Sequence, residues 1–331
     1  MTRKIKVGQL GTGHMHAYKM KTLRQLIGDF EILGVAEDDP KLRDIALKSD
    51  AFQGLPFMST DELLALPDLE AVLVETEEHD LVAAAQRCIG AGKHIHLDKP
   101  GGDALPPFKE LLTKAEKKGL IVQLGYMYRN NLAIQYCIKA AKDGLLGNIF
   151  TVDAVMSRYD GEDFRQIIKT FNAGAAYIFL CHLIDLVVIL LGKPDHVIPL
   201  SRCTRDDGVV DNGFAVLQYP NGCNAIVRTP IVEVGGFNRR YLAVYGDKGT
   251  LVVQPLEIEG NKSGGKVFLT TLNNADGKAY HLEEISQPPL KDRYEDQLLE
   301  FARIVRGEIA NPYPYSHELL VQQVFLEACG L

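Results

Sequence analysis

The sequence predicts an α/β fold in which a doubly wound parallel sheet is followed by a second, α+β domain. Two observations predict the first part: a short buried strand runs into the turn Gly11-Thr12-Gly13, and strands then alternate with helices as far as residue 125. A third observation predicts the second part, because clustered strands typical of an antiparallel sheet replace this alternation beyond residue 125. We therefore expect two domains, which comprise residues 1–125 and residues 126–331.

Hydrophobic periodicity and cap residues predict the elements of the first domain. Predicted strands cover residues 4–10, 31–36, 71–74, 93–98 and 120–124. Predicted helices cover residues 14–27, 79–91 and 106–118. Two more helices are expected to begin after Asp39, which is followed by Pro40, and within the capping-box sequence of residues 59–62. The helix over 14–27 carries an apolar stripe made of Met15, Met20, Leu23 and Ile27.

Elements of the second domain are predicted in the same way. Predicted helices cover residues 131–143, 175–191, 292–306 and 317–326, the last two of which are expected to close this domain. Predicted strands cover residues 150–158, 197–203, 213–219, 223–232, 240–245, 250–254 and 266–271. The helix over 175–191 is apolar on nearly every side, so we expect it to be buried.

Composition excludes several classes of partner. The net charge is −7 and there is no long basic block, which argues against nucleic acid and anionic membranes. The longest apolar run, residues 177–191, is interrupted by His182 and Asp185 and is too short to span a bilayer. We expect no secretory leader, and the six scattered cysteines contain no C-x-x-C pair, which predicts a reducing cytoplasm without a structural zinc or disulfide framework.

The glycine turn suggests a dinucleotide site. Glycines at 11 and 13 let the backbone approach a pyrophosphate, whose charge would lie at the amino end of the next helix. The sixth position of the G-x-G-x-x-G pattern is His16, so the third glycine is missing. A strand, turn and helix without a ligand is therefore the alternative interpretation of this segment.

The end of the second predicted strand favours NAD over NADP. Glu37 is placed to accept hydrogen bonds from the ribose hydroxyls. Asp38 and Asp39 follow it, and three adjacent carboxylates would repel a 2′-phosphate. No arginine follows immediately to receive such a phosphate.

Chemically suggestive residues fall at the carboxyl ends of the predicted strands, where ligands of such sheets bind. These are the glycine turn, Glu37, residues 76–78 and the sequence Asp98-Lys99-Pro100. Pro100 holds Lys99 out of helical geometry, so its amine is expected to project into the crevice. There it could donate to a substrate hydroxyl or, when desolvated, act as a base. An ordinary surface lysine at a strand end is the alternative.

Several motifs in order resemble the glucose-fructose oxidoreductase / inositol dehydrogenase / MocA family. They are Gly11-Thr12-Gly13-His14, Gly90-Ala91-Gly92-Lys93-His94, Asp98-Lys99-Pro100, Tyr126-Met127-Tyr128-Arg129, residues 144–149 and Cys181-His182-Leu183-Ile184-Asp185. The family carries a Glu-Lys-Pro signature with a catalytic lysine, and here Asp98 replaces the glutamate. The resemblance extends over most of the chain.

The resemblance implies a fold, an activity and an assembly. It implies a Rossmann domain followed by a large open sheet, one face of which forms a homodimer or homotetramer. It also implies an NAD-dependent oxidoreductase that acts on a hydroxyl of a sugar, inositol or related polyol, with Lys99 and His182 as catalytic residues. Asp185 matches a structural acid. Two departures are Ile178, where many family dehydrogenases have an aspartate, and residues 76–78, where Thr-Pro-Asn is common.

These arguments define a set of candidate site residues. The expected cofactor contacts are Gly11, Thr12, Gly13, His14, Met15, Glu37, Thr76, Asp98 and Lys99. The expected substrate contacts are Tyr126, Arg129, Arg158, Tyr177 and His182. We expect His14 to lie along the cofactor and His94 and His96 to pack in the sheet, and we expect no metal, because no acidic residue follows the histidine pairs at metal spacing.

Two other functional classes stay open. A redox-neutral epimerase or hydrolase could hold NAD tightly and reduce again the substrate it has oxidised. A non-catalytic regulator could keep the fold and the cofactor without turnover, which the apolar Ile178 makes conceivable.

Overall fold

The computed structural model describes residues 3–258, 262–263, 265–272, 279–288 and 291–331. The chain forms two compact units. The first comprises Met1–Tyr126 and Tyr294–Leu319, and the second comprises Met127–Arg293 and Leu320–Leu331. The sequence prediction placed all of residues 126–331 in the second domain, and the structure differs in assigning Tyr294–Leu319 to the first unit.

The first unit contains a six-stranded sheet in which every pair is parallel. Its strands are β1 (Ile5–Leu10), β2 (Phe30–Ala36), β3 (Phe57–Met58), β4 (Ala71–Val74), β5 (His94–Leu97) and β6 (Val122–Leu124). The order β3-β2-β1-β4-β5-β6 reverses direction at β1 and confirms the doubly wound sheet. Sequence periodicity missed β3, because two residues are too few to show an alternation.

Helices connect these strands. They are α1 (Met20–Gln25), α2 (Pro40–Leu47), α3 (Thr60–Ala65), α4 (Leu81–Gly90) and α5 (Leu105–Lys117). The predicted caps are confirmed, because the Asp39 carboxylate accepts hydrogen bonds from the N–H groups of Lys41 and Leu42, and Ser59 and Glu62 form a reciprocal capping box.

The first helix is shorter than the predicted span of residues 14–27. A 3₁₀ turn over Ala17–Lys19 precedes α1, and the N–H of His16 donates to the His14 ring instead of to a helical carbonyl. The predicted apolar stripe is therefore half wrong. Met20 and Leu23 are buried, whereas Met15 is 48% exposed and Ile27 is 70% exposed.

The second unit is built on an eight-stranded sheet and three α-helices of its own, as far as the described residues extend. The helices are α6 (Leu132–Lys142), α7 (Glu162–Ile168) and α8 (Cys181–Leu191). The strands are β7 (Ile149–Val155), β8 (His196–Pro199), β9 (Asn212–Gln218), β10 (Asn224–Pro230), β11 (Tyr241–Gly246), β12 (Gly249–Gln254), β13 (Glu257–Ile258), β14 (Lys262–Ser263), β15 (Lys266–Leu272) and β16 (Tyr280–Ile285). The β13 and β14 strands form a separate two-stranded sheet within the described residues.

The order of the large sheet is β16-β15-β12-β11-β7-β10-β9-β8. The pair of β10 and β7 is parallel, whereas the other pairs are antiparallel, which confirms the mainly antiparallel sheet. Side chains alternate between its faces, and one face carries buried residues such as Leu217, Val227 and Leu251. The other face carries partly exposed apolar side chains, among them Val216 and Ile226.

The apolar segment over 175–191 is buried, as predicted, but it is not one regular helix. Residues Ala176–Leu180 form a π-helix, and α8 begins at Cys181. Every residue from 181 to 188 is buried. The π-helix contains Ile178 and ends two residues before His182, and such irregular turns are frequent at functional sites.

The last two helices are α9 (Glu295–Val305) and α10 (Tyr315–Cys329). Leu298 and Phe301 of α9 pack in the core of the first unit with Val7, Leu23 and Phe30. The prediction that both terminal helices close the second domain is therefore wrong for α9, because its apolar face covers the parallel sheet.

Within the described residues, none of the helices combines the length and the apolar character that a bilayer-spanning segment requires.

Candidate functional site

Gly11 shapes the turn after β1. Its φ angle is +88°, and a Cβ atom there would lie 2.5 Å from the backbone nitrogen of Thr76. The N–H of Gly11 donates to the carbonyl of Ala36 at 2.8 Å. A side chain is thus excluded both by the backbone conformation and by the close approach of the segment after β4.

Glu37 lies at the end of β2, where the sequence placed it. Its buried carboxylate accepts hydrogen bonds from the N–H of Thr12 at 2.7 Å and from the hydroxyl of Thr12 at 2.8 Å. The other oxygen accepts from the N–H of Asp39 at 3.0 Å. These bonds fix the carboxylate against the glycine turn, and Oε1 keeps capacity for a further donor.

A cavity of about 340 Å³ opens beside these residues, at the carboxyl ends of β1, β2 and β4. It is lined by Leu10, Gly11, Ala36, Glu37, Asp38, Asp39, Leu42, Thr60, Thr76, Glu77, Asp80, Ala83, Ala84 and Arg87. The Thr76 hydroxyl is buried and has no hydrogen-bond partner within the described part of the chain. The turn at Gly11, which leaves no room for a side chain, and the unsatisfied hydroxyl of Thr76 both fit a polar ligand such as a nucleotide.

Acidic groups dominate the cavity. Burial raises the pKa of Glu77, and the neighbouring Asp80 acts in the same direction. Hydrogen bonds from Thr60 lower the pKa of Asp38 despite partial burial. Arg87 is the cation of the lining, and its guanidinium lies 2.8 Å from Asp61 and 4.0 Å from Asp38.

Lys99 follows β5 and is only 2% exposed. Its N–H donates to the Asp98 carboxylate at 2.8 Å, and its carbonyl oxygen lies 3.2 Å from Nε2 of His14. The lysine is therefore not an ordinary surface residue.

A buried polar cluster surrounds this segment, which we call the Lys19 cluster: His14, His16, Lys19, Glu75, His96 and Asp98. The Lys19 ammonium lies 2.6 Å from Asp98, 2.8 Å from Glu75 and 3.1 Å from Nε2 of His96. Nδ1 of His16 lies 3.1 Å from the second oxygen of Asp98. Lys19 also faces the ring of Tyr294 at 5.4 Å.

Charges in the Lys19 cluster are set by burial and by one another. Burial disfavours the Lys19 ammonium, but Asp98 and Glu75 outweigh it and raise the pKa of Lys19. Burial raises the pKa of Glu75 well above its usual range, whereas His14 and Lys19 hold the pKa of Asp98 well below it. The Lys19 ammonium thus lies between two carboxyl groups whose pKa values are shifted in opposite directions.

The cationic forms of the three histidines of the cluster are disfavoured. Burial lowers the pKa of His14 and, more strongly, that of His16. Burial and the adjacent Lys19 ammonium lower the pKa of His96 to about 3.

Two of the predicted cofactor contacts, His14 and Asp98, take part in the Lys19 cluster. The two ring nitrogens of His14 are held by the main chain of His16 and Lys99. Asp98 is fully buried and bonds Lys19, so its carboxylate does not face the cavity. His96 packs in the sheet as expected and contacts Gln123, and His94 accepts a hydrogen bond from the N–H of Ile121.

In the second unit, His182 lies on α8 and is 1% exposed. Its ring centroid is 5.6 Å from that of Tyr128, whose hydroxyl donates to Glu257 at 2.8 Å. Asp185 is one turn further along the helix, and the Arg129 guanidinium binds it through Nε and Nη2 at 2.6 to 3.1 Å. Asp185 therefore has the structural contact expected of it, and Arg129 is itself a buried ion-pair partner.

The other predicted substrate contacts of the second unit lie in different surroundings. Tyr177 is 3% exposed and stacks on Phe171 with ring centroids 5.3 Å apart. Arg158 pairs with Asp160 and lies over the ring of Phe164 at 4.7 Å. Tyr126, at the end of the first unit, is 2% exposed.

Two family models match consecutive parts of the chain. Residues 5–126 match an oxidoreductase family model with an NAD-binding Rossmann fold, and residues 134–252 match the GFO/IDH/MocA C-terminal domain. Together the models cover most of the sequence and agree with the two sheets described above. The chain belongs to the Gfo/Idh/MocA family of oxidoreductases.

Similar proteins agree with this family. An uncharacterised oxidoreductase of Escherichia coli, YhhX, is 30% identical over 58% of this chain and 55% of its own length. The inositol 2-dehydrogenase/D-chiro-inositol 3-dehydrogenase of Lacticaseibacillus casei is 26% identical over 75% of this chain and 71% of its own. The crystal structure of a putative NADPH-dependent oxidoreductase from Desulfitobacterium hafniense has a TM-score of 0.85 at 19% identity, covering 100% of this chain and 96% of that one. At this identity, the structural likeness concerns the fold.

Sequence reasoning missed three residues of this Gfo/Idh/MocA chain: Lys19, Glu75 and Arg87. Lys19 lies three residues after His16, so the two share the inward face of a helical turn, and this spacing was a usable signal. Glu75 directly follows the all-apolar strand β4, where a carboxylate needs a partner. Arg87 reaches the cavity from α4, which no local motif indicates.

Proposed function

We propose that this protein is an NAD-dependent oxidoreductase that transfers hydride between nicotinamide and a hydroxyl-bearing carbon of a sugar, inositol or related polyol. One observation carries the proposal: the carboxyl edge of the parallel sheet holds both the glycine turn with its acid-lined cavity and the buried Lys99. Ligands of doubly wound sheets bind at this edge. The polyol class is supported by the name of the Lacticaseibacillus casei relative.

The charge of the cavity supports NAD over NADP. Five carboxylates line it, at positions 37, 38, 39, 77 and 80, against the single guanidinium of Arg87. Arg87 already lies 2.8 Å from Asp61. A ribose diol can donate to Glu37, whereas a 2′-phosphate would meet repulsion from the neighbouring carboxylates. The NADPH in the name of the Desulfitobacterium protein describes that protein.

Residue roles follow from the chemistry of alcohol oxidation. A bound nicotinamide would supply the hydride acceptor for the carbinol carbon. Lys99 donates a hydrogen bond to the substrate hydroxyl and stabilises the oxygen as negative charge develops on it. His182 accepts the hydroxyl proton. Thr12, Gly13, Met15 and Thr76 contact the cofactor through the glycine turn and the segment after β4.

The other substrate contacts of this proposal are Tyr126, at the end of the first unit, and residues of the second unit. Tyr126, Arg158 and Tyr177 are proposed to bind substrate hydroxyls, and Arg129 holds Asp185 and with it the helix that carries His182. Ile178 is 2% exposed and apolar, so it contributes shape and no hydrogen bond.

We further propose that a second copy of the chain covers the open face of the large sheet. Cross-strand partners on this face are Val216 with Ile226 and Val252 with Phe268, all partly exposed. Apolar side chains in such numbers on one face are typical of an oligomer interface.

Turnover tests the proposed function. Purified protein is mixed with NAD⁺ and a panel of polyols, sugars and sugar acids, and NADH formation is followed. We expect turnover with at least one member, and a loss of about 100-fold or more in kcat for Lys99→Met, with NAD affinity retained. Lys109→Met, on an exposed position of α5, is the matched control.

Other results would contradict the proposal. Full turnover by Lys99→Met would remove the lysine from the mechanism. NAD that co-purifies, with substrate conversion but no net NADH, would indicate a redox-neutral epimerase or hydrolase. Dinucleotide binding without activity, together with a protein partner, would indicate a regulator.

A further inference from the structure

We propose that His14 and Asp98 are positioning residues for Lys99, and that the buried ammonium of Lys19 holds them in place. The inference rests on the proposed function, which assigns the substrate hydroxyl to Lys99. All the groups involved belong to the first unit.

The main chain of Lys99 is held on both sides. Its N–H donates to Oδ1 of Asp98 at 2.8 Å, and its carbonyl oxygen lies 3.2 Å from Nε2 of His14. Both partners are buried, so water does not compete for these bonds. Fixing the peptide groups before and after the Cα atom fixes the direction in which the side chain leaves the strand.

Hydrogen bonding defines the tautomer of His14. The N–H of His16 donates to Nδ1 of His14 at 3.1 Å, so Nδ1 carries a lone pair. In a neutral imidazole the proton is then on Nε2, which donates it to the carbonyl of Lys99. The ring thus links the glycine turn to the residue after β5.

Lys19 binds the carboxylate of Asp98, which in turn accepts the hydrogen bond from the N–H of Lys99. Its ammonium lies 2.6 Å from Oδ2 of Asp98, opposite the oxygen that accepts from Lys99. Glu75 and His96 surround the same ammonium at 2.8 and 3.1 Å. Three partners on or directly after the two strands β4 and β5 fix the position of Lys19, and Asp98 cannot rotate without breaking a buried ion pair.

The arrangement also accounts for an aspartate in place of the family glutamate. A Cβ atom on Gly125 would lie 3.2 Å from both Cα and Cγ of Asp98, so β6 packs closely against this side chain. The shorter acid reaches both Lys19 and the next N–H, and the packing leaves little room for another methylene group.

A metal ion is the competing occupant of the cluster. One ligand atom each from His14, His16 and Asp98 lies within 4.8 Å of the others. However, the Lys19 ammonium already provides a positive charge 2.6 Å from Asp98, and it would repel a second cation. His14 also uses both ring nitrogens for the main chain.

Two amide substitutions of His14 separate positioning from general packing. Glutamine places its amide near the position of Nε2 and can donate to the Lys99 carbonyl, whereas asparagine replaces only the Nδ1 acceptor. We expect His14→Gln to keep kcat within about threefold and His14→Asn to lose about 10- to 100-fold, with KM and the Kd for NAD⁺ nearly unchanged. His94→Asn, which preserves an acceptor for Ile121 in the same sheet, is the matched control and should keep full kcat.

Amide hydrogen exchange of the segment ending at Lys99 gives a readout without cofactor or substrate. We expect about tenfold faster exchange in His14→Asn and no change in His14→Gln or His94→Asn. If wild-type protein shows no turnover on any substrate, the proposed function fails, and this exchange comparison alone decides whether His14 holds Lys99.

Several results would overturn the positioning role. Equal kcat values for the two His14 variants, or equal losses in both, would do so. A change confined to the Kd for NAD⁺ would make His14 a cofactor contact, and activity that depends on added Zn²⁺ would make the cluster a metal site. If His14→Asn does not fold, unchanged exchange and turnover in Lys19→Arg and Asp98→Glu would equally refute the inference.

Discussion

At the scale of single residues, three buried histidines of the parallel-sheet unit stay neutral because the interior disfavours a second cation beside Lys19. The pKa of His96 is lowered to about 3 by burial and by Lys19. A lowered pKa means that the unfolded chain binds the proton more tightly than the folded one does. The contribution of His96 to the free energy of unfolding is therefore fully present above the pKa that it has in the unfolded chain. This contribution is lost as the pH falls toward the pKa of His96 in the folded protein.

His96→Gln should make the free energy of unfolding depend less steeply on pH below about pH 7.5. Between about pH 7.5 and about pH 5, the wild type should lose about 2 kcal/mol more unfolding free energy than the variant does. Urea unfolding at the two pH values measures this difference. His281→Gln, at a site where the side chain is 58% exposed, should leave the wild-type slope unchanged. Equal slopes for all three proteins would contradict the neutral, buried state of His96.

Gly11→Ala should abolish dinucleotide binding and destabilise the fold, because the new methyl group would meet the backbone of Thr76 at a φ of +88°. A Cβ atom at position 28 would meet no other described atom within 4 Å, so Gly28→Ala should be neutral or slightly stabilising. Thermal unfolding and NAD⁺ titration of both variants check the prediction. Binding by Gly11→Ala with wild-type affinity would show that the turn does not act as described.

At the scale of elements, local signals predicted most of the architecture. Caps at Asp39 and Ser59, the apolar strand β4 and the buried segment before Leu191 carry their signals in neighbouring residues, and each was found. The start of α1 was wrong, because the hydrogen bond from His16 to the His14 ring is invisible to periodicity.

Contacts between residues that are far apart in the sequence explain the other features that the sequence did not predict. Helix α9 joins the first unit through contacts with residues nearly 300 positions earlier, and the predicted boundary could not include such contacts. The contact between Lys19 and Asp98 was missed for the same reason, because the two residues are 79 positions apart.

The 3₁₀ turn before α1 offers a direct test of the buried ion pair. Lys19→Met removes the cation from Asp98 and should lower the unfolding free energy by about 3 to 5 kcal/mol. Lys21→Met, two residues later, breaks an ion pair with Asp50 whose side chains are 52% and 73% exposed, and should lower the unfolding free energy far less. Chemical denaturation of both variants measures the contrast, and similar small losses would contradict a stabilising role for Lys19.

At the scale of the whole molecule, the large sheet presents one covered face and one face with partly exposed apolar side chains. Four of its eight strands contribute a partly exposed apolar side chain to this face: Val216, Ile226, Val252 and Phe268. A partner of identical sequence would bury this surface by two-fold symmetry, which is the commonest way in which soluble chains assemble.

The double variant Ile226→Lys/Val252→Lys should convert a dimer or tetramer into monomers, because charges on the open face would be desolvated in the interface. Light scattering after size-exclusion chromatography measures the mass. Ile45→Lys, at a 56% exposed position of α2, should keep the wild-type assembly. A monomeric wild type, or a double variant that remains assembled, would contradict the proposed interface.

Calorimetric titration of NAD⁺, NADH and NADP⁺ into folded protein stripped of endogenous nucleotide tests the central claim most directly. The acid-lined cavity beside Gly11 and Glu37 predicts one NAD⁺ or NADH per chain, with NADP⁺ weaker by about tenfold or more. Tighter binding of NADP⁺ would contradict the assignment of the cofactor. Absence of heat with all three dinucleotides would contradict the account as a whole.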